Sequence, residues 1–388
     1  MTPRFSILLP THDRADVIGF AVRSALRQTE TDFEILVVCD GCTAETADAV
    51  RSFEDGRIRL FDMPKAPGFG WANRNLALRQ ACGELVAFLG DDDLWLPDHL
   101  ERLGAVFVDE RIEWAYSRPL WMADDGVVVP LAFDLRRPRD YEQFMTVGNS
   151  IPATCVVHRR SALERYGYWP DHLWQGERAP AIDWELWRRM IGPSGGANLE
   201  YVPDPTCIHF RADWRMPETW MIRTVRAWMD GAHAGWWPPG LVVAPGMAAS
   251  PQAAAWERLE ADATGWMTQI RAAVVTVVDG FASDSVTLSE QLPALQERLA
   301  ALENRLASQA AAGAETERRL AEQSAHSAAL EEQLVDQAGL VSSLHDRLAG
   351  EAAFSASILT STSWRVMAPA RRAGRLLRTV ARRSRPMP

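Results

Sequence analysis

Lysine is nearly missing from this 388-residue chain. Lys65 is the single example, and every other basic residue apart from histidine is arginine, a bias we attribute to genome composition. Long apolar runs are missing too. No segment reaches the roughly 18 consecutive apolar residues that a spanning helix needs, which excludes a membrane-embedded body. The opening MTPRFSILLPTHDRAD carries only a short apolar run and no small-residue cleavage site, unlike a secretory signal. Cysteine is scarce: five, an odd number without framework spacing, which excludes a disulfide-stapled fold and agrees with a reducing compartment. CDGC (Cys39, Cys42) formally matches C-x-x-C, but no second Cys/His pair stands at ligand spacing to complete a metal site. A net charge of -10 excludes nucleic acid as the general partner. Acid itself disappears after Glu351, where eight arginines follow.

What is present is a folded protein's composition, 47% hydrophobic, with room for one large domain plus appendages or for two domains. The first hundred residues alternate β-rich runs (FSILLP, FEILVVCD, IRLFDMP, ELVAFLG) with helical patterns (DVIGFAVRSALRQT, TAETADAVRSFE, GWANRNLALRQAC). That alternation predicts βαβ units, an α/β fold with a Rossmann-like, mostly parallel sheet flanked by helices. Ligands of such sheets bind at the carboxyl ends of the strands. The polar segments THD, DGC and DDD fall there. From Trp114 to Phe210 the pattern is less regular, with short strands and one good helix, AIDWELWRRMIG.

The triplet Asp91, Asp92, Asp93 follows a strand-length apolar run. Three adjacent carboxylates repel one another unless a positive charge joins them. Hard oxygen ligands at a sheet rim suit Mg²⁺ or Mn²⁺ completed by phosphate and water. A solvated acidic turn that caps the next helix fits the same residues.

Four segments decide between these readings. SILLPTHDRADVIGFAVRSALRQT is similar to the opening Pro-Thr-Tyr-Asn-Arg strand and helix of the family 2 glycosyltransferases with the GT-A fold. FEILVVCDGCTAET resembles their Asp-Asp-Gly-Ser turn. GWANRNLALRQACGELVAFLGDDDLWLP resembles their Ala-Arg-Asn helix and Asp-x-Asp segment, and AIDWELWRRM their Glu-Asp-x-x-Leu helix. The resemblance covers roughly residues 4 to 211. It implies an inverting transfer of a sugar from a nucleoside-diphosphate donor to a glycan or lipid-linked hydroxyl, with Mn²⁺ or Mg²⁺ as cofactor, in bacterial cell-surface polysaccharide synthesis. Donor-binding residues carried over are Pro10, Thr11, His12, Arg14, Asp40, Arg74, Asp91 and Asp92. His12 stands where an aromatic stacks on the base, and Asp40 where a carboxylate accepts the base N–H, which implies UDP or dTDP. Metal ligands carried over are Asp92, Asp93 and His209, although a lone His after an apolar strand is also a common core residue. Counting back from WLP makes Asp92 the principal ligand; counting by pattern makes it Asp91-x-Asp93.

Asp183 is the implied catalytic base, and an ordinary helix N-cap is its structural alternative. Trp169, Trp174, Trp184 and Trp187 surround the implied acceptor side, as a stacking face or as core. The chain departs from the family at Cys39, Gly90 and Ile182, where acids are usual. Those departures keep open a second reading, a catalytically degenerate scaffold.

The resemblance ends before the C-terminal third. Leucines 288, 292, 295, 299, 302 and 306 are spaced 4, 3, 4, 3, 4, and the phase continues through Leu320, Leu330, Leu334, Val341, Leu344 and Leu348. That predicts a helical coiled coil joining two or more chains, or a long helix folded back on the body. Trp364, Val366, Met367, Leu376, Leu377 and Val380 lie among arginines, the pattern of a basic helix lying on anionic membrane, or of a disordered tail. The expected organisation is therefore 1–213 GT-A glycosyltransferase domain, 214–285 helical extension and linker, 286–350 coiled coil and 351–388 basic amphipathic tail. The expected location is cytoplasmic, peripheral at the inner face of the cell membrane.

Overall fold

The structure is a computed structural model that describes residues 2–123, 125–131, 133–149, 151–170, 182–210, 220–244, 248–319 and 335–348. Trp174 and the basic tail 351–388 lie outside them, as do coiled-coil positions Leu320, Leu330 and Leu334.

The expected alternation is present. Strands β1 (Phe5–Thr11), β2 (Phe33–Asp40), β3 (Ile58–Met63) and β4 (Leu85–Phe88) alternate with helices α1 (Ile18–Leu26), α2 (Ala44–Arg51) and α3 (Trp71–Leu78). A two-residue strand β5 (Leu94–Trp95) and helix α4 (His99–Ala105) come next. The irregular half supplies β6 (Trp114–Ser117), β7 (Leu120–Met122), β8 (Val128–Pro130), α5 (Pro138–Thr146), β9 (Val156–Arg159), α6 (Arg160–Tyr166), α7 (Ile182–Ile191), β10 (Leu199–Val202) and β11 (Cys207–Phe210). Two longer helices, α8 (Trp220–His233) and α9 (Pro251–Arg319), follow.

The main sheet has the order β10-β6-β9-β4-β1-β2-β3. It is parallel except for β9, which runs antiparallel to both β4 and β6. Every residue of β2 is buried, and β1 is nearly so, as expected when helices cover both faces of a parallel sheet. The run FEILVVCD is apolar on both faces because neither faces water.

A smaller sheet, β5-β11-β7-β8, packs beside it with its own core. This second core is where the region expected as a helical extension and linker departs from a linker. Helix α8 contributes Ile222, Val225 and Met229, and the start of α9 contributes Trp256, Leu259, Trp266, Ile270, Val274, Val277 and Phe281, all buried. The Trp266 indole donates to the Gly240 carbonyl at 3.0 Å, and Arg271 reaches both oxygens of Asp98 at 2.7 and 2.8 Å. Helix α9 breaks once, at Asp262 (φ -160°, ψ 79°), and the Asp262 carboxylate caps the resumed helix by accepting the Gly265 N–H at 2.8 Å. Residues 251–281 are thus part of the packed body. The Pro/Gly/Ala-rich composition before them suggests a linker because periodicity does not reveal which surface a helix finds.

Beyond the body, residues 335–348 form a further helix on which Val341, His345 and Leu348 are buried within the single chain. Glu303 of α9 lies near enough to act on the His345 charge. Leu299, Leu302 and Leu306 are half-buried while Ala300, Ala301 and Glu303 are exposed. Within the chain, the 335–348 helix therefore lies near α9. Among the described residues no helix is long and apolar enough to cross a membrane.

Candidate active site

The carboxyl ends of β1, β2, β3 and β4 meet at one rim. The register places Thr11 beside Cys39 and Leu8 beside Phe88, so the loops after these strands converge as the sequence pattern predicts. The rim holds Arg14, Asp40 and the Asp91–Asp93 turn together.

The three carboxylates are not equivalent. Asp93 is 3% exposed and committed to the fold: its two oxygens lie 2.9 and 3.0 Å from His209 Nδ1, and it accepts the Phe210 N–H at 2.9 Å. His209 also packs edge-on against Trp121, with ring centroids 4.3 Å apart. Burial pulls the His209 imidazole down, but the Asp93 and Asp92 charges outweigh it and raise its pKa. This pair ties the turn after β4 to β11 and so joins the two sheets. Gly90 has a structural role in the same turn. A Cβ there would stand 2.6 Å from an Asp93 oxygen, so the Asp93 carboxylate fills the space of a side chain at 90.

Asp92 has a different set of partners. Burial first, then the charges of Asp93 and Asp91, push its carboxyl up to about 7, against the pull of His209 and Arg14. Arg14 reaches it at 3.3 Å, and Gln252 of α9 holds its backbone carbonyl at 3.3 Å. Among the described residues no group of three or more His, Cys, Asp or Glu is arranged to hold a metal ion. The donor set nevertheless fits one: Asp92 is a hard oxygen ligand whose neighbours leave it short of positive charge, with Asp91 beside it. Asp93 and His209, expected as ligands, pair with each other.

Asp40 is also enclosed. Its Oδ1 accepts from the Ala66 amide at 2.8 Å and from Asn73 Nδ2 at 2.7 Å, and its Oδ2 from Lys65 Nζ at 2.6 Å. Burial raises the carboxyl, but Ala66, Lys65 and Asn73 together hold it below its ordinary value. Neither Lys65 nor Asn73 is singled out by the sequence motifs; the scarcity of lysine is the available signal. Nearby, the Thr11 hydroxyl is buried with no hydrogen-bond partner among the described residues. Pro10 is half-buried within β1, and His12 is half-exposed, 3.8 Å from Asp13. Cys39, which stands for an acid of the family turn, is fully buried in β2.

Asp183 begins α7. Its Oδ1 is buried without a hydrogen-bond partner among the described residues, and burial raises its pKa against the opposing effects of Arg74 and the Trp169 indole. Arg74 stacks 4.5 Å from the Trp71 ring and 6.0 Å from Trp169. An N-cap aspartate is expected to spend its oxygens on backbone N–H groups; among the described residues Asp183 Oδ1 has no such partner. The tryptophans resolve toward core: Trp169 and Trp187 are buried, with Trp187 against Phe88 and Trp114, and Trp184 donates to the Phe144 carbonyl.

The chain has relatives at this level. It is 34% identical over 112 residues to the Escherichia coli UDP-Glc:alpha-D-GlcNAc-diphosphoundecaprenol beta-1,3-glucosyltransferase WfgD, covering 29% of this chain and 44% of that one. It is 26% identical over 183 residues to WfaP of the same species, which carries the same activity in its name, covering 45% and 72%. The chain thus spans less than half the length of the first of these relatives. A structure of S. aureus TarS 1-349 in complex with UDP-GlcNAc superposes with a TM-score of 0.44 at 20% identity, over 55% of this chain and 60% of that one. Residues 6–167 match the model described as Glycosyl transferase family 2, so this stretch, which holds β1–β4 and the Asp91–Asp93 turn, is similar to that family.

Proposed function

We propose that this chain transfers a sugar from a nucleoside-diphosphate donor to a hydroxyl of a glycan or lipid-linked acceptor, with inversion at the anomeric carbon, in assembly of a bacterial surface polysaccharide. The observations that carry the reading are an Asp92 carboxyl pushed up to about 7 at the rim after β4 and a buried Asp183 oxygen without a hydrogen-bond partner among the described residues, in a chain whose residues 6–167 match the family. The activity named for WfgD, on a diphosphoundecaprenol-linked sugar with a UDP donor, supports the donor and acceptor classes.

In this reading Asp183 accepts the proton of the acceptor hydroxyl, and its raised pKa makes it a stronger base than an exposed carboxylate. The acceptor oxygen then bonds to the anomeric carbon as the bond to the diphosphate breaks on the opposite face. Arg14 pairs with Asp92 and is placed to turn to the departing diphosphate, a role its planar fork suits. Asp92 would hold the divalent cation with Asp91 beside it; when bound, that ion would offset charge on the leaving group. Asp93 and His209 hold the turn in place.

The test is transfer or hydrolysis with a panel of nucleotide sugars and Mn²⁺, on wild type and Asp183→Asn. Turnover of one donor class that Asp183→Asn abolishes supports the reading. Absence of turnover together with absence of any Mn²⁺-dependent thermal shift across the panel would favour the scaffold instead.

A further inference from the structure

The Asp40 enclosure presents a second group to a donor at this rim. A carboxylate offers about four acceptor positions. Three are filled at 2.6 to 2.8 Å, and the residue is 5% exposed. The loop that fills them is seated tightly. A Cβ on Gly70 would lie 2.5 Å from the Asp40 carboxyl, and one on Gly41, at φ +68°, would lie 2.6 to 2.9 Å from Lys65 atoms. Asn73 also donates to the Pro64 carbonyl at 2.8 Å, closing the far side of the loop. One acceptor position remains on a carboxylate that the loop leaves 5% exposed.

Lys65 has the opposite properties. Its ammonium carries three N–H groups, of which Asp40 accepts one. Its side chain is 46% exposed. The buried Asp40 thus acts as a fixed anchor that holds a cation outward at the carboxyl ends of β2 and β3. Three strand spacings of roughly 4.8 Å separate β4, which leads to Asp92, from β3, which leads to Lys65. A nucleoside diphosphate with its phosphates toward Asp92 and Arg14 would extend its base toward Lys65.

We infer that Lys65 is a donor-binding residue that donates a hydrogen bond to a carbonyl oxygen of the nucleobase, with Asp40 as its anchor. This inference rests on the nucleotide-donor reading above. Its consequence is selectivity for bases with a carbonyl on the edge that meets the ammonium, such as uracil, thymine or guanine. Cytosine and adenine present an amino group there, a donor facing a donor.

Because Lys65 is the single lysine, one reagent addresses it in the intact protein. Acetylation of the full chain with an amine-selective ester, mapped by mass spectrometry, should modify Lys65, and UDP or GDP should protect it where CDP and ADP do not. Calorimetric binding of the same four nucleotides to Lys65→Met should show the favoured one weakened roughly tenfold or more, the scale of a hydrogen bond to a charged group, and the others little changed. Lys65→Arg should recover part of the loss. A wild type that binds UDP or GDP while Lys65 acetylates at an unchanged rate overturns the inference, as does a Lys65→Met variant that binds as tightly or more tightly. A wild type that binds none of the four overturns the donor reading itself. The protection arm needs no variant, so an unstable Lys65→Met leaves the test intact.

Discussion

The turn after β4 predicts that two neighbouring aspartates fail in different ways. Asp93→Ala would remove the partner of His209, whose raised pKa Asp93 maintains, and would leave the Phe210 N–H without its acceptor. Breaking a buried charged pair by deleting one member costs about 3–5 kcal/mol. For a packed body of this size each kcal/mol moves the melting temperature by roughly 2–4 °C, so Asp93→Ala should melt about 6–20 °C below wild type. Asp92→Asn should behave oppositely. Its carboxyl is pushed up to about 7 by burial and by Asp93 and Asp91, so its ionised form opposes folding, and replacing it with a neutral amide should leave the melting temperature unchanged or higher. Activity should vanish in Asp92→Asn even though it is the better-folded protein. Differential scanning fluorimetry and circular dichroism in EDTA at pH 7.5 separate fold from metal binding, and a transfer assay with Mn²⁺ completes the comparison. An Asp93→Ala protein melting within about 2 °C of wild type, or an Asp92→Asn protein destabilised as much as Asp93→Ala, would refute the division of roles.

The same arrangement makes further outcomes testable. Asp183→Asn should lose transfer while keeping its melting temperature. The raised native pKa of Asp183 means its ionised form disfavours folding, so wild type should gain stability relative to Asp183→Asn as pH falls through that pKa, while kcat falls over the same range. Parallel pH–rate and pH–melting curves check both signs; a kcat that stays level as the pH falls through the ordinary carboxylate range speaks against Asp183 as the base. A chain ending at residue 250 should lack a cooperative melt because it loses Trp256, Trp266, Ile270 and Phe281 from the second core, whereas one ending near 285 should retain it. Trp266→Ala alone should cost about 3–5 kcal/mol, read by urea unfolding. Chelation with EDTA should abolish transfer and Mn²⁺ or Mg²⁺ should restore it; full activity in EDTA would remove the cation from the scheme.

Much of the catalytic fold was legible because its signal is local. Runs such as FEILVVCD and helices such as DVIGFAVRSALRQT declare their periods without reference to the rest of the chain, and the order of four motifs located the rim. The roles within the rim were less legible. Asp91, Asp92 and Asp93 are chemically identical in sequence, and only the approach of β11 makes Asp93 a structural anchor while Asp92 stays exposed to its neighbours' repulsion. Gly90 reads as a lost ligand until the Asp93 carboxylate is found in the space its side chain would need. Leucine spacing likewise permits two partners for the C-terminal helices and cannot choose between another chain and the same one.

By itself, then, the sequence determined the alternating α/β body, the rim at which the polar segments gather, and the residue types available for sugar-nucleotide chemistry, since each depends on short-range pattern. Tertiary structure alone decided which carboxylate is buried against His209, that the single lysine stands on Asp40, and that α9 closes the second core. The reason is the same in each case: charge, desolvation and packing depend on groups brought together from positions 25 to more than 100 residues apart, and no local window contains both partners.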